Sequence, residues 1–442
     1  MKTIAKLLLV ALCAGLVFTS CKKEVDGFPK KEPKFSKLTP EEHKENLESS
    51  AITLINETEG LMDVKAAKAA DNMMEISDGE LKKEFSRNIF IQMLASVNNG
   101  NNGLHLDKAL KNQKGEIQDN FDSIAGIYTW NASIEDFDYQ ASNDFVVRFP
   151  YSSASTSNDC EMTMTLQTVT VTSDVVGIDE LPSNVTCTLE IQGKVEASYE
   201  LTAKYDEKGL PTEFKSTLKI DSYKWQYSFG KSNSNISMDF LYAHGSKTLV
   251  NYGGKIGGNL NFDDVEAYMQ SVEEMEEYEA GTLTEGGTYL QNVKMYFQVC
   301  DIKLVETANT KDLMKALDPI VVKSNNGEYG EGGEVDAVVP VLNSHVNLYL
   351  MYVEDFRKIA DAEFFVDQVE TSDWEMVYNQ YTGEYDYMEV TKTEKQPSVQ
   401  FIFKDGSKSS VDAYFEEGFD NLDKEMEDMM TQFENTFGSP TY

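Results

Sequence analysis

From Tyr199 to Tyr242 the chain holds an apolar period of two through successive runs, and no other feature narrows its fold so far. Tyr199, Leu201, Ala203 and Tyr205 alternate with Glu200, Thr202 and Lys204, which marks a strand with one buried and one wet face. Glu207-Lys208-Gly209 then turns the chain. The next run is long, with Phe214, Leu218 and Ile220 on one parity and Tyr223, Trp225, Tyr227 and Phe229 on the other. That switch predicts one bulged strand, with the β-bulge at Asp221-Ser222. Ser232-Asn233-Ser234 makes a further turn before Ile236, Met238, Phe240 and Tyr242. Sequential strands joined by short turns predict an antiparallel meander and argue against a parallel α/β sheet.

Helical spacing flanks this region. Thr39 is a good N-cap, Pro40 suits the first helical position, and Glu42 completes a capping box ahead of the stripe Leu47, Ala51, Leu54 and Ile55. An alanine- and methionine-rich stretch over 61–74 predicts another helix, and Ser77 with Glu80 opens a third that carries Leu81, Phe85, Ile89, Met93 and Val97. An acidic helix is expected over 263–279, β patterning at 374–378, 385–390 and 399–403, and a last helix through Phe419, Leu422, Met426, Met429 and Phe433. The expected class is α+β, an N-terminal helical layer followed by long antiparallel β-meander sheets with interspersed acidic helices. The expected division is a signal peptide at 1–20, a flexible tether at 21–38, a helical region at 39–120, an antiparallel β-rich domain at 121–326 and a second β-rich subdomain with a C-terminal acidic helix at 327–442. The glycine-rich loop from Gly327 to Gly333 marks the last boundary.

The first twenty residues have the order of an export signal. Lys2 and Lys6 supply a positive region, Leu7 to Phe18 form an uncharged apolar run, and Thr19-Ser20 are small residues just before Cys21. The run falls short of the about 20 residues that a permanent membrane span needs. Phe18-Thr19-Ser20-Cys21 resembles the lipobox of bacterial lipoproteins, with phenylalanine where leucine is usual. The resemblance implies cleavage before Cys21 and a diacylglycerol on its thiol, which would hold the chain at a membrane. Thr39-Pro40-Glu41-Glu42-His43-Lys44, with Leu47 and Glu48, resembles the opening of uncharacterised Bacteroidota lipoproteins. That likeness implies an outer-membrane lipoprotein on the cell surface or the periplasmic face, and it brings no activity with it. Ser123, within Asp122-Ser123-Ile124, resembles the short O-glycosylation acceptor of the same phylum.

Charge limits the partners. The formal charge of −36 becomes −36 − 2 = −38 once Lys2 and Lys6 leave with the signal, and a surface so negative repels nucleic acid and anionic head groups. Cations, basic proteins, neutral glycans and hydrophobic ligands remain. Cys160, Cys187 and Cys300 are an odd set, which argues against a disulfide scaffold, and buried free thiols are expected.

The four histidines, His43, His105, His244 and His345, lie far apart and fit no zinc pattern, and no P-loop, GxSxG elbow or dinucleotide fingerprint is present. No catalytic residue, metal or cofactor is therefore assigned. The acid runs at 273–277 and 425–428 read as solvated helix faces. Two aromatic groups stand as ligand candidates: Trp374, Tyr378, Tyr381 and Tyr385 about one hairpin, and Trp225 in the row from Tyr223 to Phe229. Such rows stack on sugars, line apolar grooves or pack across strands. The expected function is a non-catalytic binding or structural role. The alternatives are an envelope carrier holding a lipid or other hydrophobic ligand on a curved antiparallel sheet, and a glycan-binding or glycan-processing surface protein.

Overall fold

The computed structural model describes residues 33–76, 121–122, 125–173, 177–273, 275, 278–329, 332–379, 384–416, 419, 421, 422 and 424. Cys21, Ser123 and Tyr381, the signal and tether up to residue 32, the helix expected from Ser77 and the acidic stripe beyond Lys424 lie outside the described residues.

The meander is larger than the sequence pattern announces. Among the described residues sixteen strands form one sheet. They are β1 (Gly126–Asn131), β2 (Asp136–Gln140), β3 (Phe145–Phe149), β4 (Cys160–Ser173), β5 (Gly177–Ile191), β6 (Lys194–Tyr205), β7 (Pro211–Ile220) and β8 (Tyr223–Lys231). There follow β9 (Asn235–His244), β10 (Lys247–Gly257), β11 (Asn292–Val299), β12 (Ile302–Ala308), β13 (Val346–Tyr352), β14 (Lys358–Asn379), β15 (Glu384–Ile402) and β16 (Lys408–Ser410). From β3 to β16 every strand pairs with its chain neighbour, and β1 joins β3 in a parallel pair with β2 outside it. The two β-rich stretches on either side of Gly327–Gly333 thus share a single sheet. The register shifts in the β4–β5, β5–β6, β6–β7, β9–β10 and β13–β14 pairs, and such irregularities bend strands and sharpen their twist.

The bulge expected at Asp221-Ser222 is not a bulge. Those residues are the two-residue turn between β7 and β8, with Ile220 opposite Tyr223 and Asp221 at φ 53°. A two-residue hairpin turn returns the chain with the closing pair on one face, so apolar parity flips across it just as it does across a bulge. Asp, which tolerates the left-handed conformation better than most residues, supplies the positive φ.

Seven helices accompany the sheet among the described residues. α1 (Pro40–Glu59) opens with the expected capping box at Thr39 and Glu42, and a 3-10 turn at Gly60–Asp63 leads into α2 (Lys65–Ile76). The insert between β10 and β11 carries α3 (Phe262–Glu273) and α4 (Thr282–Tyr289), and the one between β12 and β13 carries α5 (Thr310–Asn325) and α6 (Gly333–His345). A short α7 (Val411–Glu416) follows β16. No helix of the described residues is long and apolar enough to cross a membrane.

Strand register assigns the helices to opposite ends of one sheet face. Tyr199, Leu218, Trp225, Tyr242, Val250, Val299, Ile302 and Tyr352 form a continuous cross-strand row. Ala66, Ala67, Ala69, Ala70 and Met73 of α2, each at most 1% exposed, pack into the core that holds Tyr199 and Tyr242. Alanine lets the helix axis approach close to bulky aromatic rows. Further along the same face, Val293 and Ala308 sit in a second core with Leu313, Met314 and Leu317 of α5 and Val338 and Leu342 of α6. Cys160, Cys187 and Cys300 are buried free thiols, as expected; Cys160 lies opposite Ile191 and Cys187 opposite Met164.

Candidate functional site

Two further rows cross the same sheet face between those two helical layers. The first runs Leu201, Ser216, Tyr227, Phe240, Tyr252, Phe297, Leu304 and Leu350. The second runs Phe214, Phe229, Met238, Gly254, Met295, Glu306, Leu348 and Ala362. Along β11 the rows beneath the two layers, at Val299 and Val293, are six residues or about 20 Å apart. At one end Leu201, Phe214 and Phe240 pack with the first core, and at the other Leu304, Leu350 and Ala362 pack in a third core with Leu47 of α1 and Tyr414 of α7; we read the stretch between, Tyr227, Met238, Tyr252, Phe297 and Met295, as the floor of an apolar trough.

The floor is aromatic because β8 to β11 each place an aromatic residue at the same register position. Phe240 and Tyr252 stack with centroids 4.8 Å apart and planes at 23°. Tyr227, Phe240, Tyr252, Met238, Met295, Leu304 and Leu348 are half-buried, and Phe297 is 49% exposed. Phe297 is one of several large apolar side chains left exposed among the described residues, with Tyr139, Phe356 and Phe415, and it is set between the apolar cross-strand partners Tyr252 and Leu304. Gly254 leaves a gap in the second row between Met238 and Met295, and a Cβ there would come within 2.9 Å of the Lys294 carbonyl oxygen. Glu306 is the one carboxylate in these two rows. It lies opposite Met295 on one side and Leu348 on the other. Burial among apolar neighbours raises its pKa, because the charged form loses hydration.

The opposite face behaves differently. There Tyr296 donates a hydrogen bond to Asp239, Lys303 Nζ lies 4.5 Å from the Tyr296 ring centroid, and Lys358 Nζ lies 2.6 Å from Asp361. Burial raises the Asp239 pKa and lowers that of Lys303. Its polar groups are matched to one another and leave little for a ligand to satisfy.

A cleft of about 390 Å³ lies at the strand ends, lined by Asn292, Thr307, Asn309, His345 and Asn347 among others. It is polar, and part of its lining serves the fold: Asn309 caps α5, and Asn343 exchanges two hydrogen bonds with the Phe364 backbone.

Of the aromatic candidates, Trp225 is half-buried. It stacks on Tyr242 at 5.0 Å and 16°, beside the core under α2. Trp374, Tyr378 and Tyr385 lie on the β14–β15 hairpin, whose backbone register sets Tyr378 opposite Tyr385 and Trp374 opposite Glu389. The trough residues escaped sequence reading although Phe240 and Tyr227 were recognised as strand residues. Phe297, Leu304 and Glu306 join them only through pairing across β10, β11 and β12.

No protein-family model matches the chain, no curated protein matches it, and no solved structure matches it.

Proposed function

We propose that the chain is an exported envelope lipoprotein, anchored through Cys21 and similar to uncharacterised Bacteroidota lipoproteins, that holds a hydrophobic ligand in the trough between its two helical layers. The half-exposed Phe297, between Tyr252 and Leu304 on a mostly apolar cross-strand floor, is the observation that carries the binding reading. An antiparallel sheet with helices on part of one face and an apolar strip left between them suits an acyl chain, which lies along such a strip and gains about 0.8 kcal/mol per buried CH₂. The order of charged, apolar and small residues before Cys21 supports the anchor.

Binding is tested by titrating the purified protein with a fluorescent fatty-acyl probe and by extracting co-purified lipid for mass spectrometry. Phe297→Asp, which places a charge on the floor at an already exposed position, is expected to weaken probe binding at least about tenfold while leaving the thermal midpoint within a few degrees. A wild-type protein that binds no probe and carries no lipid would refute the reading. The anchor is tested by metabolic lipid labelling, with label expected on the native chain and absent from Cys21→Ser; an unlabelled native chain would remove it.

A further inference from the structure

The turn that replaces the expected bulge brings together three side chains that lie far apart in sequence. Ser222 sits in the β7–β8 turn, His244 ends β9 in the neighbouring hairpin, and Glu57 lies near the C-terminus of α1. His244 Nε2 is 2.9 Å from Ser222 Oγ, and His244 Nδ1 is 2.6 Å from Glu57 Oε2. A carboxylate on Nδ1 selects the tautomer with its proton there, which leaves Nε2 to accept from the serine hydroxyl. We infer that Ser222 is an activated nucleophile toward uncharged acyl esters, with His244 as its general base and Glu57 as the residue that orients that base.

The surroundings hold the geometry from several sides. The imidazole lies flat on Tyr223, with centroids 4.3 Å apart and planes at 11°, and Tyr223 donates its hydroxyl proton to the Glu57 carbonyl oxygen. Gly60 permits that approach, since a Cβ there would lie 2.7 Å from the Tyr223 hydroxyl. The Gly245 N–H donates to the Ser222 carbonyl oxygen at 2.8 Å, tying the two turns together. Lys247 Nζ lies 2.6 Å from Glu57 Oε1, and the hydrogen bonds from Lys247 and His244 hold the carboxyl below the ordinary glutamate range, so it is ionised at neutral pH. Ser222 is exposed at the turn, and the base is part-exposed, so an ester reaches both from solvent. The flanking carboxylates Asp221 and Glu57, on a chain of charge −36, disfavour anionic acyl donors.

In the reaction Ser222 Oγ bonds to the ester carbonyl carbon as its proton passes to His244 Nε2. The carbonyl electron pair moves to oxygen and returns as the bond to the alcohol breaks, and the alcohol leaves with the proton from Nε2. Water then repeats the sequence on the acyl-serine, releasing the carboxylic acid and restoring the hydroxyl. Base assistance of this kind contributes about 10² to 10⁴-fold.

The test is incubation of the full chain with an alkyl fluorophosphonate, read by intact mass and peptide mapping. A single adduct on Ser222 is expected, absent from Ser222→Ala and formed at least about 100-fold more slowly by His244→Gln. Glu57→Gln should slow it about tenfold or more and Glu57→Asp should recover part of that loss at an unchanged thermal midpoint, a pattern that mere anchoring of α1 would not produce. A wild-type chain that forms no adduct on Ser222, or a folded His244→Gln that labels at the wild-type rate, would overturn the inference. Both readouts are independent of whether the trough binds lipid.

Discussion

The two helical layers share a sheet face but are secured in different ways. The layer of α4, α5 and α6 comes from inserts between neighbouring strands, packs through aliphatic side chains and is organised about one buried carboxylate. Asp318 accepts from the Tyr278 hydroxyl and from the backbone N–H groups of Gly281 and Leu283. The layer of α1 and α2 is chemically more dispersed. Its alanines press on the aromatic rows, and its edges are clamped by polar contacts to remote strands and to the C-terminal segment: His43 and Asn46 at Tyr352, Glu57 at His244 and Lys247, and Glu48 at Asn421. One layer concentrates its specificity at a single buried group; the other spreads it over several separate contacts, from the buried His43 to the part-exposed Glu57. The first should fail abruptly, the second by degrees.

The largest effect is expected at Asp318. Asp318→Ala deprives the part-buried Tyr278 hydroxyl and the Gly281 N–H of their acceptor and leaves the Leu283 N–H with the Tyr278 hydroxyl alone, at a cost of about 3 kcal/mol, read as a lowered urea midpoint. Hydrogen exchange should rise across 278–345 while 65–76 stays protected; equal loosening of both layers would erase the contrast. Next comes Ala69→Leu, in a helix face with no room, where overpacking should cost about 1–3 kcal/mol and raise exchange in α2 before α5. The smallest effect is a pH dependence of the N-terminal layer. Burial lowers the His43 pKa, so the unfolded chain takes up that proton first and stability falls as pH drops through about 6.5. His43→Gln should flatten the pH dependence of the thermal midpoint between pH 7 and 5.5, and a slope unchanged by the substitution would show that the acid sensitivity lies elsewhere.

Much of the sheet was legible because its strands alternate cleanly and its turns are short. Tyr199, Leu201 and Ala203 are buried and Glu200, Thr202 and Lys204 exposed, as their alternation predicts. The capping box at Thr39 was equally local. Legibility ended where two structures share one signature, since a parity flip at Asp221-Ser222 fits both a bulge and a hairpin turn. It ended again where meaning depends on register across strands. Nothing local in Phe297 or Glu306 tells that each sits beside an apolar partner on either side. The histidines carry no short spacing to read, since His244 meets Glu57 across 187 residues and Ser222 across 22.

The strict neighbour-to-neighbour order of β3 to β16 also has a kinetic meaning. Each strand finds its partner in the segment made just before it, so loop closure costs little at each step and the sheet can grow hairpin by hairpin as the chain emerges. The N-terminal helices run counter to that order. They are synthesised first, yet His43 must wait for Tyr352, a separation of 309 residues. On this pathway α1, made at the start, cannot complete its contacts until β13 is in place, whereas the α2 alanines pack chiefly on strands up to β10.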